Sequence, residues 1–181
     1  LAVSCLALIS CTSHTSMLGD RLADEGDWDR AVSAYRDAVR KDPFNEKLIA
    51  RLASAKEMAA ERHYLEARAA LAEQRLADAL MESKAALGLD PSKPEHHAAM
   101  NDALRLKEAR EQLQLGEKLV NLGRQEDAVV AYERALDLDP SLTSALASIT
   151  DLTKQLRAAK SLGGSTQPIT LRFQNAKLKE V

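Results

Sequence analysis

Aromatic side chains are scarce in this chain: Phe, Trp and Tyr together make up 3% of its 181 residues. So thin a supply argues against a thick β-core and for helices packed closely through small residues, in keeping with a composition dominated by Ala and Leu. Cysteine is limited to Cys5 and Cys11, so no disulfide can be read anywhere beyond the first segment. No run of about 20 apolar residues occurs, which excludes an ordinary membrane-spanning helix. A net charge of −2 without a dense Lys/Arg block argues against nucleic acid as the main partner. Catalytic signatures are missing as well. No Ser sits in a nucleophile elbow, no glycine-rich phosphate loop follows a strand, and no His-x-x-x-His or Cys-x-x-Cys pair occurs. The chain therefore reads as non-enzymatic, with no catalytic, cofactor-binding or metal-ligating residue expected. His14, His63, His96 and His97 read as solvated or helix-N-terminal, and Asp20, Asp24 and Glu25 as a solvated acidic face on the first helix.

What the chain does have is an internal echo. Leu18-Gly19 is followed by Gly26, Ala31, Tyr35, Ala38 and Pro43; a shift of 97 residues returns Leu115-Gly116, Gly123, Ala128, Tyr132, Ala135 and Pro140. At a chance of about one in ten per position, seven such coincidences come to roughly 10⁻⁷. A worn middle copy keeps Ala79, Ala86 and Asp90-Pro91, but Ser83 stands where the aromatic is due and Gln74 where the turn Gly is due. Each type has a physical task. The Gly and Ala positions let two helices approach, the tyrosines fill the space between one repeat and the next, and Gly26 and Gly123 supply turns with positive φ. Pro43 and Pro140 stop one helix and start the next. Trp28, just past the first turn, is expected to pack the corner between helices.

This order and spacing resembles the tetratricopeptide repeat, a helix–turn–helix unit of about 34 residues. Here the prolines stand 48 and 49 residues apart. The surplus reads as extra turns on the first helices of repeats two and three, in the segments 45–76 and 95–122, each about 40 Å long. The repeats are placed at about 12–45, 46–93 and 94–142. A capping helix over 141–160 carries the apolar stripe Leu142, Leu146, Ile149, Leu152 and Leu156. Members of the family with a carboxylate clamp set Lys, Asn and Arg on the first-helix side. The matching positions here hold Ser13, Ser16 and Asp20 in the first repeat, and Arg110, Leu113 and Glu117 in the third. Neither set makes such a clamp.

Both ends carry further resemblances. Residues 1–10 read as part of a secretory signal, and Leu8-Ile9-Ser10-Cys11 resembles the bacterial lipobox. That resemblance implies cleavage after Ser10 and lipidation of Cys11, with a lean toward the outer membrane because Thr12, not Asp, follows. The competing reading is a buried N-terminal helix with two inert cysteines. At the other end, 161–168 is a Gly/Ser/Thr/Pro linker. Beyond it Ile169, Leu171 and Phe173 alternate with polar residues as a strand, Asn175 can cap a helix, and Leu178 and Val181 open its apolar stripe. The stretch "ITLRFQNAKLKEV" resembles the start of the short N-terminal domain of secretins and TonB-dependent signalling receptors.

The expected fold is therefore all-α: a helical-hairpin solenoid over 11–160 with two extended helices, followed at 169–181 by the first strand and helix start of a truncated α/β domain. Together the resemblances imply a periplasm-facing assembly module of an outer-membrane secretin-like lipoprotein, in type II secretion or type IV pilus biogenesis. Its partners would be other subunits of that complex, copies of itself in a ring, and the membrane through lipid on Cys11. A free-standing lipoprotein adaptor or pilotin-like chaperone is the alternative.

Overall fold

The computed structural model describes residues 3–162, with side chains from 14 to 161. Within that range every regular element is a helix: α1 (Val3–Asp24), α2 (Trp28–Lys41), α3 (Glu46–Ala72), α4 (Leu76–Leu89), α5 (Pro94–Asn121), α6 (Gln125–Leu138) and α7 (Thr143–Leu162). The strand expected at 169–174 and the helix start after it lie outside the described residues. So does the side chain of Cys11, although the backbone of α1 runs helically past the expected boundary after Ser10.

Local chemistry sets the helix limits. Asp27 and Asn45 accept the backbone N–H groups of Arg30 and Leu48 at the starts of α2 and α3. Gly26 and Gly123 turn the chain at φ 75° and 73°, and Gln74 does the same at φ 59° with a side chain to accommodate. Pro43, Pro91 and Pro140 all fall in the turns between helices, three residues before the next helix begins, and Pro94 opens α5. After two of those turns the pattern is the same: Asp90 accepts from the backbone N–H and hydroxyl of Ser92, at 3.0 and 2.6 Å, and Asp139 accepts from Ser141 at the same distances. The two extended helices have 27 residues in α3 and 28 in α5, hence about 40 Å each.

The chain divides into two compact units, with the boundary inside α5 between Glu108 and Ala109. In the first, α1 packs on α2, α2 on α3 and α3 on α4. Its core joins Leu22, Ala31, Val32, Ala34, Tyr35, Ala55 and Ala59, and a smaller cluster joins Ala70, Ala79 and Ala103. Trp28 lies half-buried against the larger cluster. In the second unit α6 packs on α7, and the core runs through Leu119, Ala128, Tyr132, Ala135, Leu142, Ala145 and Leu152. The apolar stripe of α7 differs from expectation at one point. Leu146 is exposed and Ala145 takes the buried place, within the cluster that joins α6 and α7.

Candidate functional site

The structure buries the alanines expected to pack the repeats and leaves the turn residues Gly26, Pro43, Pro91, Gly123 and Pro140 exposed. Ala31, Ala38, Ala79, Ala86, Ala128 and Ala135 are fully buried on the second helices. Small side chains at i and i+7 let two helices lie against each other with little between them. On the first helices Gly19 and Gly116 face Tyr35 and Tyr132 so closely that a Cβ on either glycine would collide with the ring. The tyrosines thus fill space inside their own repeat as well as toward the next helix. Leu18 is half-buried beside this core, whereas Leu115 stands exposed.

The middle repeat is built differently. Ala67 and Ser83 occupy the glycine and tyrosine positions, both buried, and the Ser83 hydroxyl has no hydrogen-bond partner. Aromatic bulk enters instead from Tyr64 on α3 and His96 on α5, whose ring centroids are 5.5 Å apart. The position five residues past each repeat-ending proline is buried throughout: Leu48, His96 and Ala145. His96 is thus not solvated but fully enclosed. Its Nδ1–H donates to the Asp90 carbonyl at 2.9 Å, and His97 Nε2–H donates to the Pro91 carbonyl at 2.9 Å. The two histidines satisfy carbonyls of the turn between α4 and α5, that of the C-cap Asp90 and that of Pro91.

Beside Tyr64 a shallow groove of about 280 Å³ opens between α3 and α5. Tyr64, Arg68 and Leu71 form one wall; Glu95, Ala98, Ala99 and Asp102 form the other. The Arg68 guanidinium lies 5.8 Å from the centre of the Tyr64 ring, within reach of a cation–π attraction. The groove therefore offers an aromatic face, small apolar side chains and charges of both signs. A second concavity of about 280 Å³, in the other unit, is lined by Leu115, Val130 and Ala131 with Arg124, Asp127 and Arg134 at its edge.

Positions that would hold a carboxylate clamp are occupied otherwise. Arg51 of α3 donates to Ser16 and Asp20 of α1, at 2.9 Å each, and the Tyr35 hydroxyl donates to Asp20 at 2.7 Å. Asp20 is accordingly a bridging residue of the first repeat and not part of a solvated acidic face. Burial, with the Asp20 carboxylate beside it, pushes the Tyr35 hydroxyl up to about 12. In the third repeat Leu113 packs against the core. Ser13 lies outside the described side chains.

A second departure from expectation is His63, which is enclosed between carboxylates. Its Nε2 meets Asp29 Oδ1 of α2 at 3.0 Å and its Nδ1 meets Glu82 Oε2 of α4 at 2.6 Å. Arg62 is paired with Asp29 and, at 3.6 Å, with Glu66. Burial lowers the affinity of the imidazole for a proton, but the hydrogen bonds to Glu82 and Asp29 outweigh it, and the net shift is upward. Sequence reasoning missed this cluster because its members come from three helices and share no spacing. Only Tyr64, the one tyrosine outside the repeat register, could have drawn attention to the groove.

Comparison with known proteins gives one family. The tetratricopeptide repeat model matches residues 112–142, the span holding Gly116, Gly123, Ala128, Tyr132, Ala135 and Pro140. No curated protein matches the chain. Among solved structures, the chain is similar to the first tetratricopeptide repeat domain of Spaghetti (RPAP3) bound to the HSP90 peptide SRMEEVD. Identity there is 20%, coverage 81% of this chain and 93% of that one, and the TM-score 0.24. It is also similar to MamA protein at 19% identity, with coverage of 87% and 97% and a TM-score of 0.24.

Proposed function

We propose that the chain is a non-catalytic docking module that holds another protein on the side formed by its first helices. The observation that carries this is the groove between α3 and α5. Its Tyr64 face, its small Ala98 and Ala99 side chains and its mixed charges suit a peptide or helix and converge no acid–base pair on a reacting centre. The tetratricopeptide repeat over residues 112–142 supports the same reading, since repeats of this type serve protein–protein interaction. Exposed Met58 and Leu65, seven residues apart on α3, add apolar surface along one stripe of that helix.

The finer reading rests on the sequence alone. Cys11 would be the lipid anchor, residues 11–160 a docking arm of stacked repeats, 161–168 a linker, and 169–181 the opening of a secretin ring domain. The partners would then be subunits of a type II secretion or type IV pilus complex at the outer membrane, facing the periplasm. Leu8-Ile9-Ser10-Cys11 and "ITLRFQNAKLKEV" support it.

A photo-crosslinking side chain at Ala98, exposed on the groove wall, tests both levels in the cell envelope. The expected adduct is a secretion or pilus subunit, and Ala98→Arg should abolish its binding while leaving helicity and Tm unchanged. A partner that binds Ala98→Arg as well as the wild type overturns the groove. An adduct with a different envelope complex overturns the secretin assignment and favours the free-standing adaptor. Cys11→Ser should move the protein out of the membrane fraction; unchanged membrane association overturns the anchor.

A further inference from the structure

We infer that His63, Glu66 and Glu82 form a binding site for one divalent transition-metal ion, with Zn²⁺ as the best-fitting occupant. One ligand atom from each of the three lies within 4.8 Å of the others. His63 and Glu66 are one helical turn apart on α3, and Glu82 reaches across from α4. The site stands apart from the docking groove and does not depend on it.

The two nitrogens of the His63 ring each face a carboxylate oxygen. Neutral imidazole carries a single N–H. If that hydrogen is on Nε2 it is given to Asp29, 3.0 Å away. The lone pair of Nδ1 then faces a Glu82 carboxylate oxygen at 2.6 Å. Two lone pairs held that close require a positive centre between them, either a second proton or a metal ion. A histidine that gives its far N–H to a carboxylate is also the arrangement that fixes a metal-binding imidazole and raises its basicity.

Charge balance points the same way. Asp29, Glu66 and Glu82 bring three negative charges against the single positive charge of Arg62, a surplus that a cation held at His63 offsets. Nitrogen and carboxylate oxygen are ordinary zinc ligands, at about 2.0–2.2 Å, which sets neighbouring ligand atoms about 3.4 Å apart in a tetrahedron. Glu82 must open by under one ångström and Glu66 must swing in. Glu66 is half exposed and bonded to Arg62 only at 3.6 Å, so its rotation is cheap. Arg62 keeps Asp29 as its partner. Water would complete the fourth position.

Isothermal titration of the full chain with ZnCl₂ at neutral pH, beside Tm in ZnCl₂, MgCl₂ or chelator, tests the site. One Zn²⁺ per chain is expected to bind, with a rise in Tm that Mg²⁺ does not reproduce. Glu66→Gln should weaken binding at least tenfold while leaving the chelator Tm unchanged, because Glu66 takes no part in the His63 hydrogen bonds. Glu82→Gln should weaken it similarly. No saturable binding, or binding unchanged in Glu66→Gln, overturns the site. Co²⁺ substitution separates the chain's thiols from it: a thiolate-to-metal charge-transfer band would assign the ion to Cys5 and Cys11 and overturn the assignment, whereas weak d–d bands alone support His63 and the two glutamates.

Discussion

The ring of Tyr35 covers Gly19 so closely that a methyl group built on the glycine would sit 2.6 Å from the ring's Cε1. In a helix interior alanine is normally about 1 kcal/mol better than glycine. Here the ring cannot easily retreat, because its hydroxyl is held by Asp20. Overpacking of this kind costs about 1–3 kcal/mol. Gly19→Ala should therefore destabilise the protein in urea unfolding, against its helix propensity. Gly88 in α4 meets nothing within 4 Å, so Gly88→Ala should stabilise it by up to ~1 kcal/mol. Equal effects at the two positions would count against the glycine–tyrosine contact.

Turn chemistry gives a second pair of opposite signs. Gln74 adopts φ 59°, a left-handed conformation that costs a side chain about 1–2 kcal/mol. Gln74→Gly should raise stability by roughly 1 kcal/mol, after the entropy glycine adds to the unfolded chain. Gly123→Ala should lower it by a similar amount. Thermal unfolding of the two variants against the wild type checks both signs.

Ser83 is buried with its hydroxyl unpartnered. Desolvating a hydroxyl without a hydrogen bond costs about 1–3 kcal/mol, so deleting it removes a penalty and leaves a cavity of little more than one oxygen. Ser83→Ala should be neutral or stabilising in chemical denaturation. A loss above about 1 kcal/mol would show that the hydroxyl has a partner in solution.

Tyr35 sets the alkaline limit of the first repeat. Its hydroxyl ionises near 10 in an unfolded chain and is pushed up to about 12 here, chiefly by burial and then by Asp20. Between those values the folded protein keeps a proton that the unfolded chain releases. The stability it contributes is therefore complete below pH 10 and is lost as pH rises toward 12. In a spectrophotometric titration the phenolate of Tyr35 should form at higher pH in the wild type than in Asp20→Asn. Identical curves would remove Asp20 from the account.

Much of the architecture is legible along the chain because helix pairs write their packing as spacing. Gly26 and Gly123, the buried alanines and the repeat-ending prolines mark helix limits that need no distant information. Other features escape for a physical reason. Leu146 and Ala145 both fit an apolar stripe, and only tertiary packing decides which is buried. His63 looks like a surface histidine until Asp29 and Glu82 arrive from neighbouring helices, and His96 looks like one until Tyr64 covers it. The middle repeat reads as worn in sequence, yet its first helix, α3, supplies one wall of the groove.

In the first unit α1 rests on α2, α2 on α3 and α3 on α4; in the second, α6 rests on α7. In each of these pairs the partner is the helix immediately before or after in the chain, so only a short turn has to close before the two touch. Contacts this local predict refolding within microseconds to milliseconds. A nascent chain could consolidate one hairpin at a time as it emerges, leaving little sticky surface waiting for a late-arriving mate.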